Sequence, residues 1–296
     1  MKIGFIGVGA MGAPMAERLL AAGHELALFD VDAAAMRPLV ARGALAAGSA
    51  RAAAAGAETV FACLPSPEVS RQVAHELAGS EDIRTYVETS TIGTAAIKAI
   101  AGQLGARGIG VLDAPVSGGP RGARAGTLAT MVAGERTVFE RTQPLFESIA
   151  HKVFYVGQSP GLGQMTKLAN NMISAAGMAA AFEAVVLAVK AGVDARTLID
   201  AINASTGRNS ATMDKFPQSI LPRSFDYGGK VQTMYKDVQL CLEEARAMDV
   251  PMWVGASVVQ LWFQAMVEGR GQHDYTTLIQ MIEGWAGVTV SGGPAK

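Results

Sequence analysis

The sequence predicts an α/β region built on a mostly parallel sheet, followed by an all-helical region. Three observations predict it. Short apolar runs alternate with amphipathic ones over residues 2–156. A glycine turn, Gly7-Val8-Gly9-Ala10-Met11-Gly12, separates the first apolar run from the first amphipathic one. Beyond Gly157-Gln158-Ser159-Pro160-Gly161 the strand signals stop and long helical periods follow. Alternation with short Gly-marked turns implies parallel strands covered on both faces. A composition change at a Gly/Pro-rich joint marks a domain boundary, which divides the chain into 1–162 and 163–296.

The elements follow in order from periodicity and punctuation. Lys2–Ile6 reads as strand and Met11–Ala22 as helix. Glu25–Phe29 is strand and Ala33–Arg42 helix. Thr59–Leu64, Thr85–Glu88 and Gly110–Ala114 are strands, with helices Glu68–Ala78 and Thr94–Gly105 between them. Leu128–Ala133 and Lys152–Val156 are the last strands, on either side of helix Arg136–Ile149. The second region reads as helices over roughly Gln164–Ala191, Asp194–Ala204, Lys230–Met248, Met252–Glu268 and Tyr275–Gly284. The tail 291–296 reads as flexible, and there is no internal repeat.

Composition narrows the function. Of 296 residues, 50% are hydrophobic and 17% charged, which marks an ordered globular chain. A net charge of −1 argues against nucleic acid or an anionic membrane as the main partner. Cys63 and Cys241 lie far apart and form no metal-ligand cluster, which fits a reducing cytosol and no metal site. The chain runs straight into a strand pattern, so no signal peptide is expected. The apolar run 172–182 is too short to span a bilayer. It reads instead as a helix or subunit contact, and the expected location is cytoplasmic.

Three segments carry chemistry. Gly7, Gly9 and Gly12 form a GxGxxG with a strand before it and a helix after it. In that context the first glycine makes the turn, the second admits a pyrophosphate and the third lets helix and sheet approach. The phosphates would sit on the N–H groups of the helix start, including Ala10 and Met11. Asp30 ends the second strand, where an acid accepts from the ribose hydroxyls of NAD and repels a 2′-phosphate. Arg37 and Arg42, in the following helix, leave NADP open. The alternative is a tight turn with an exposed aspartate.

Ser117-Gly118-Gly119 follows a strand in the Gly-rich loop 113–128, so it belongs at the carboxyl edge of the sheet. It offers a hydroxyl and little-covered N–H groups, a cradle for a small carboxylate; an ordinary loop is the alternative. Arg121 reads as solvent-facing, and Arg124 is undecided. Lys167 and Asn171 are four residues apart, on one face of a helix that continues into a buried run. A lysine and an amide beside apolar residues need partners, and a desolvated lysine suits proton transfer. A helix start reaching solvent is the other reading. The histidines have no paired acid at useful spacing. Tyr235 and 225–227 shape either a pocket or the domain joint. Residues 206–210 break the helical pattern, either as a turn or with Arg208 or Asn209 selecting the substrate's far end.

Taken together, Gly4–Ala16, Asp113–Met131, Gly161–Asn171 and Lys236-Asp237 resemble the signatures of the β-hydroxyacid dehydrogenases of the 3-hydroxyisobutyrate dehydrogenase type. The resemblance spans nearly the whole chain. It implies a Rossmann-type N-terminal domain and an all-α C-terminal domain joined by a long helix, with the active site in the cleft between them. It implies Lys167 as the catalytic lysine, with Ser117, Gly118, Gly119 and Asn171 on the substrate. Leu64 and Pro65 would line the cofactor, Thr91 would sit near the nicotinamide, and Lys236 would reach the cofactor from the second domain. Val69 stands where some relatives carry a polar residue, so only its backbone or apolar surface would serve. The implied substrate is a small hydroxy acid or semialdehyde, the cofactor NAD, and the assembly a homodimer or homotetramer. Tartronate semialdehyde (2-hydroxy-3-oxopropionate) is the alternative substrate. Arg18 departs from the common Asn. Lys167 argues against the imine-reducing branch, and Asn170 against the decarboxylating 6-phosphogluconate branch.

Overall fold

The computed structural model describes residues 1–293; Pro294–Lys296, the end of the tail read as flexible, lie outside the described residues. Two compact units make up the chain, Met1–Lys167 and Leu168–Lys296.

The first unit holds β1 (Lys2–Ile6), α1 (Gly12–Ala21), β2 (Glu25–Phe29), α2 (Ala33–Val40), β3 (Leu45–Ala46), α3 (Ala50–Ala54), β4 (Thr59–Ala62) and α4 (Pro67–Leu77). It continues with β5 (Thr85–Glu88), α5 (Thr94–Gly105), β6 (Gly110–Asp113), β7 (Val116–Ser117), α6 (Gly119–Ala125), β8 (Ala129–Ala133), α7 (Arg136–Ile149) and β9 (Lys152–Gly157). The strands form one sheet in the order β3-β2-β1-β4-β5-β6-β8-β7, with β9 beside β8. Pairing from β3 through β6 is parallel. β8 runs antiparallel to β6 and β7 and parallel to β9. The strand order reverses between β1 and β4, the switch point beyond whose carboxyl ends such sheets bind ligands.

Alternation of side chains along each strand supplies two apolar faces. Ile3, Phe5, Leu28, Phe61 and Leu112 face α1, α2 and α7. Ile6, Val60, Tyr86 and Val111 face α3, α4 and α5. Each such burial stabilises by about 1.5–3 kcal/mol. The rings of Phe5 and Phe61 stack at 5.9 Å. Arg18 does more than fill space on α1: its Nε donates to Ser148 O at 3.0 Å, tying α1 to α7. Four short elements, β3, α3, β7 and α6, are absent from the sequence reading because none is long enough to show a period. α6 also contains two glycines and a proline, which disfavour helix; burial of Gly122 and Ala123 holds it.

α8 (Leu162–Lys190) begins in the first unit. The second unit continues with α9 (Ala195–Asn203), a π-helix (Ala211–Ile220), α10 (Val231–Ala247), α11 (Trp253–Val267), a 3₁₀ turn (Tyr275–Thr277) and α12 (Leu278–Ala286). The π-helix falls where the sequence shows only a break; its i→i+5 bonding, as in Leu221 N to Phe216 O at 2.9 Å, erases the 3.6-residue period. The core gathers Met172, Phe182 and Val185 of α8, Phe216, Val238, Trp262 and Ile282. By length and composition α8, with 29 residues, is long and apolar enough to cross a bilayer, a wider apolar span than the run 172–182. Residues 290 and 292 are tethered: Val290 N donates to Glu283 Oε1 at 2.7 Å and Gly292 N to Leu221 O at 3.0 Å.

Candidate functional site

The glycine turn is shaped from both sides. A Cβ on Gly7 would lie 2.2 Å from Cys63 O, and one on Gly12 1.9 Å from Gly7 O, so neither position admits a side chain. A Cβ on Gly9 would meet nothing within 4 Å. Packing therefore does not require glycine there. An open cradle at the start of α1, beside Ala10 and Met11, is what a pyrophosphate needs. Asp30 is held beside it: Oδ2 accepts from Val8 N at 2.8 Å and Oδ1 from Asp32 N at 2.9 Å. Arg42, one of the two arginines that left NADP open, is paired with Glu17; Arg37 is exposed. These residues fit NAD. Asp30→Ser is expected to move the ratio of kcat/KM for NAD over NADP toward NADP by at least ~10-fold, the value of one hydrogen bond to a charged group. Steady-state kinetics with both cofactors would check it.

Two loops beyond β4 and β5 are locked together. Leu64 N donates to Ser90 Oγ at 2.6 Å. Ser66 caps α4 through Val69 N at 3.3 Å, so Val69 keeps only apolar surface to offer. Pro65 is exposed and Thr91 half-buried. Burial pushes the Cys63 thiol up to about 12, so it stays neutral. Glu88, fully buried, accepts from Tyr86 OH at 2.9 Å and from Ser90 N at 3.0 Å. Burial raises the Glu88 carboxyl, with the Ser90 and Tyr86 hydrogen bonds pulling the other way. The unfolded chain gives up this proton near the ordinary value of about 4.3; the folded chain keeps it to higher pH. Glu88 therefore subtracts stability as pH rises from that value through its folded pKa. Glu88→Gln is expected to remove that contribution, read as the difference in Tm between variant and parent as pH rises from about 4.3.

Ser117 ends β7 half-buried, and Gly118 and Gly119 are exposed. Both glycines have positive φ, and a Cβ on Gly119 would meet nothing within 4 Å. Arg121 and Arg124 are both exposed.

The start of α8 is fastened by a buried carboxyl. Asp113, at the end of β6, accepts from Gly161 N at 2.8 Å, Gln164 N at 3.0 Å and Gln164 Nε2 at 2.8 Å. It thus caps helix N–H groups from a different element. Gln164, fully buried, also accepts from Ile92 N at 2.8 Å and Gly93 N at 3.1 Å, and donates to Ser90 O at 3.0 Å. Gly163 allows this approach; a Cβ there would lie 2.6 Å from Met131 O. Burial raises the Asp113 carboxyl, opposed by its Gln164 and Gly161 donors. Lys167 follows Gln164 by three residues and is 8% exposed. The network brings the first turn of α8 to the loops after β5 and β6, at the same carboxyl edge as the glycine turn.

In the second unit Asn171 is buried, and its Nδ2 donates to Asp237 Oδ2 at 2.6 Å. Its Oδ1 accepts from Asn170 Nδ2 at 3.1 Å. Lys236 Nζ lies 2.9 Å from the other Asp237 oxygen, so one carboxylate orients both side chains. Tyr235 stacks on Phe263 at 5.9 Å. Asp113, Gln164 and Asp237 hold the candidate site residues in place, and sequence reasoning did not single them out. Asp113 carries a signal, a carboxyl at the end of an apolar strand; Asp237 stands beside Lys236 and pairs with Asn171.

Known proteins carry the same pattern. Residues 2–157 match the family profile described as the NAD binding domain of 6-phosphogluconate dehydrogenase. Residues 161–282 match the NAD-binding profile of NADP-dependent 3-hydroxyisobutyrate dehydrogenase. The chain is 35% identical to 2-(hydroxymethyl)glutarate dehydrogenase of Eubacterium barkeri, over 99% of this chain and 98% of that one. It is 35% identical to 2-hydroxy-3-oxopropionate reductase of Escherichia coli, over 96% and 97% of the two chains. The solved structure of Mycobacterium tuberculosis 3-hydroxyisobutyrate dehydrogenase with L-serine superposes with a TM-score of 0.87 at 31% identity, covering 95% of this chain and 98% of that one.

Proposed function

The chain belongs to the β-hydroxyacid dehydrogenase family of the 3-hydroxyisobutyrate dehydrogenase type, and from that premise we propose its substrate and the roles of its residues. It is an NAD-using oxidoreductase acting on a CH–OH group. The proposed reaction is oxidation of a small 3-hydroxy acid such as 3-hydroxyisobutyrate, or reduction of the matching semialdehyde. Reduction of 2-hydroxy-3-oxopropionate is the second reading, favoured by the similarity to a reductase of that compound.

Bound NAD supplies the hydride acceptor. Lys167 receives the hydroxyl proton during oxidation and returns it in the reverse direction. Ser117, Gly118 and Gly119 hold the substrate carboxylate, and Asn171, fixed by Asp237, orients the reacting end. Gly7, Gly9, Gly12 and Asp30 bind the cofactor with Ala10 and Met11; Leu64, Pro65, Val69, Thr91 and Lys236 complete its surroundings. We assign 1–162 to the cofactor and 163–296 to substrate and assembly. The observation that carries the reading is a lysine 8% exposed, on a helix whose first turn is tied by Asp113 and Gln164 to the loops that follow β5 and β6. A panel of 3-hydroxy acids, followed by NADH absorbance, tests it. Intact NAD binding with no turnover across the panel would overturn it.

The same reading carries a homodimer or homotetramer in the cytoplasm. Ile173 is 74% exposed, Trp253 86% and Trp285 62%, large apolar side chains on α8, α11 and α12 that would be buried by a second copy.

A further inference from the structure

Seven residues past Lys167 and three past Asn171, Ser174 lies on the same face of α8. Its hydroxyl is 3.5 Å from Ser210 Oγ. Ser210 precedes the π-helix, and its hydroxyl and carbonyl accept from Lys215 Nζ at 3.1 and 3.3 Å. Lys215 is only 4% exposed. The rings of Tyr227 and Tyr275 flank its ammonium at 5.0 and 5.9 Å. Among the described residues no carboxylate pairs with it; Asp214 and Asp274 act only at longer range.

A buried ammonium without a counter-ion is costly. Burial lowers the Lys215 pKa, and the positive end of the helix adds to the penalty. An apolar residue of the same length would be more stable there. An ammonium beside two hydroxyls suits an anion, and of these residues Ser210 is exposed and Ser174 half-buried. The other candidates nearby are spent or turned away. Asn209 Oδ1 accepts from Ala211 N and Thr212 N, and its Nδ2 donates to Gly177 O, so it holds the turn. Arg208 is exposed.

We propose that Lys215, with the hydroxyls of Ser174 and Ser210, selects a second anionic group on the substrate, at the end remote from the oxidised hydroxyl. The substrate class is then a hydroxy diacid, or an equivalent carrying a second oxyanion, rather than a simple monoacid. This rests on the dehydrogenase reading above, and the test separates the two. Binding is measured first, as the Tm of the NAD-loaded full-length protein with glutarate or with valerate at matched ionic strength. Glutarate should raise Tm more than valerate in the parent and in Lys215→Arg, and the difference should vanish in Lys215→Met. Met removes a buried charge at similar length, so the variant is expected to fold. Activity is measured second, on 2-(hydroxymethyl)glutarate against 3-hydroxyisobutyrate. Lys215→Met should lower kcat/KM for the diacid by ~10–100-fold, the value of a charged hydrogen bond, and leave the monoacid unchanged. Equal Tm shifts from both acids, or a diacid preference that survives Lys215→Met, would overturn this inference whether or not turnover is seen. Absence of turnover alone would count against the dehydrogenase reading only.

Discussion

Lys167→Ala should lower kcat by about 100-fold or more, the usual contribution of a positioned proton-transfer group. The NAD dissociation constant should stay close to that of the parent. The separation follows from where the residue sits. The proposed cofactor-binding features are the glycine turn and Asp30, which is held through Val8 N and Asp32 N. Folding should survive, because Gln164 and Asp113 secure the first turn of α8. Single-turnover NADH formation and fluorescence titration with NAD would read the two quantities separately. A variant with near-parental kcat at its own optimum pH would remove Lys167 from proton transfer.

The largest stability effect should come from Asp113→Ala. It would leave Gly161 N, Gln164 N and Gln164 Nε2 without their acceptor in a buried place. Unmade buried donors cost about 1–3 kcal/mol each, with partial rescue by relaxation. A loss of about 3 kcal/mol and a fall in Tm of roughly 6–12 °C are expected. Activity should fall further than stability accounts for, because Gln164 also positions the backbone at Ile92 and Gly93. Asp113→Asn, which keeps one acceptor oxygen, should be milder on both counts. Chemical denaturation beside kcat measured well below Tm would distinguish them. If the alanine variant had parental kcat at low temperature, the Asp113 network would be structural alone.

These two residues also mark what a sequence does and does not disclose. Lys167 was legible because a charged residue in an apolar helix is a local anomaly, and Asn171 falls on its face by simple periodicity. The glycine turn was legible because strand, turn and helix all fall within a short window, and the alternation that predicts the parallel sheet is equally local. Asp113 and Gln164 meet across 51 residues of chain, and no periodicity reports that pairing. Asp237 stood beside Lys236 in a recognisable pair, yet its bond to Asn171 spans 66 residues. α6 was hidden by its own composition, since tertiary burial overrode poor helix propensity. The π-helix was hidden for another reason: the periodicity templates assume 3.6 residues per turn.

That wide winding sets a ruler along the chain. In an α-helix two residues five apart point about 140° away from each other, so Ser210 and Lys215 would face different ways. An i→i+5 turn brings them onto one side, where the lysine reaches the serine. Which side chain meets Ser210 is therefore decided by residue count as well as residue type. Shortening the segment by one position would hand that place to Phe216, now an apolar core residue, and exchange a cation for a ring without altering a single letter elsewhere. Insertions and deletions in 211–214, more than point substitutions, are the changes by which a chain of this build would be retuned.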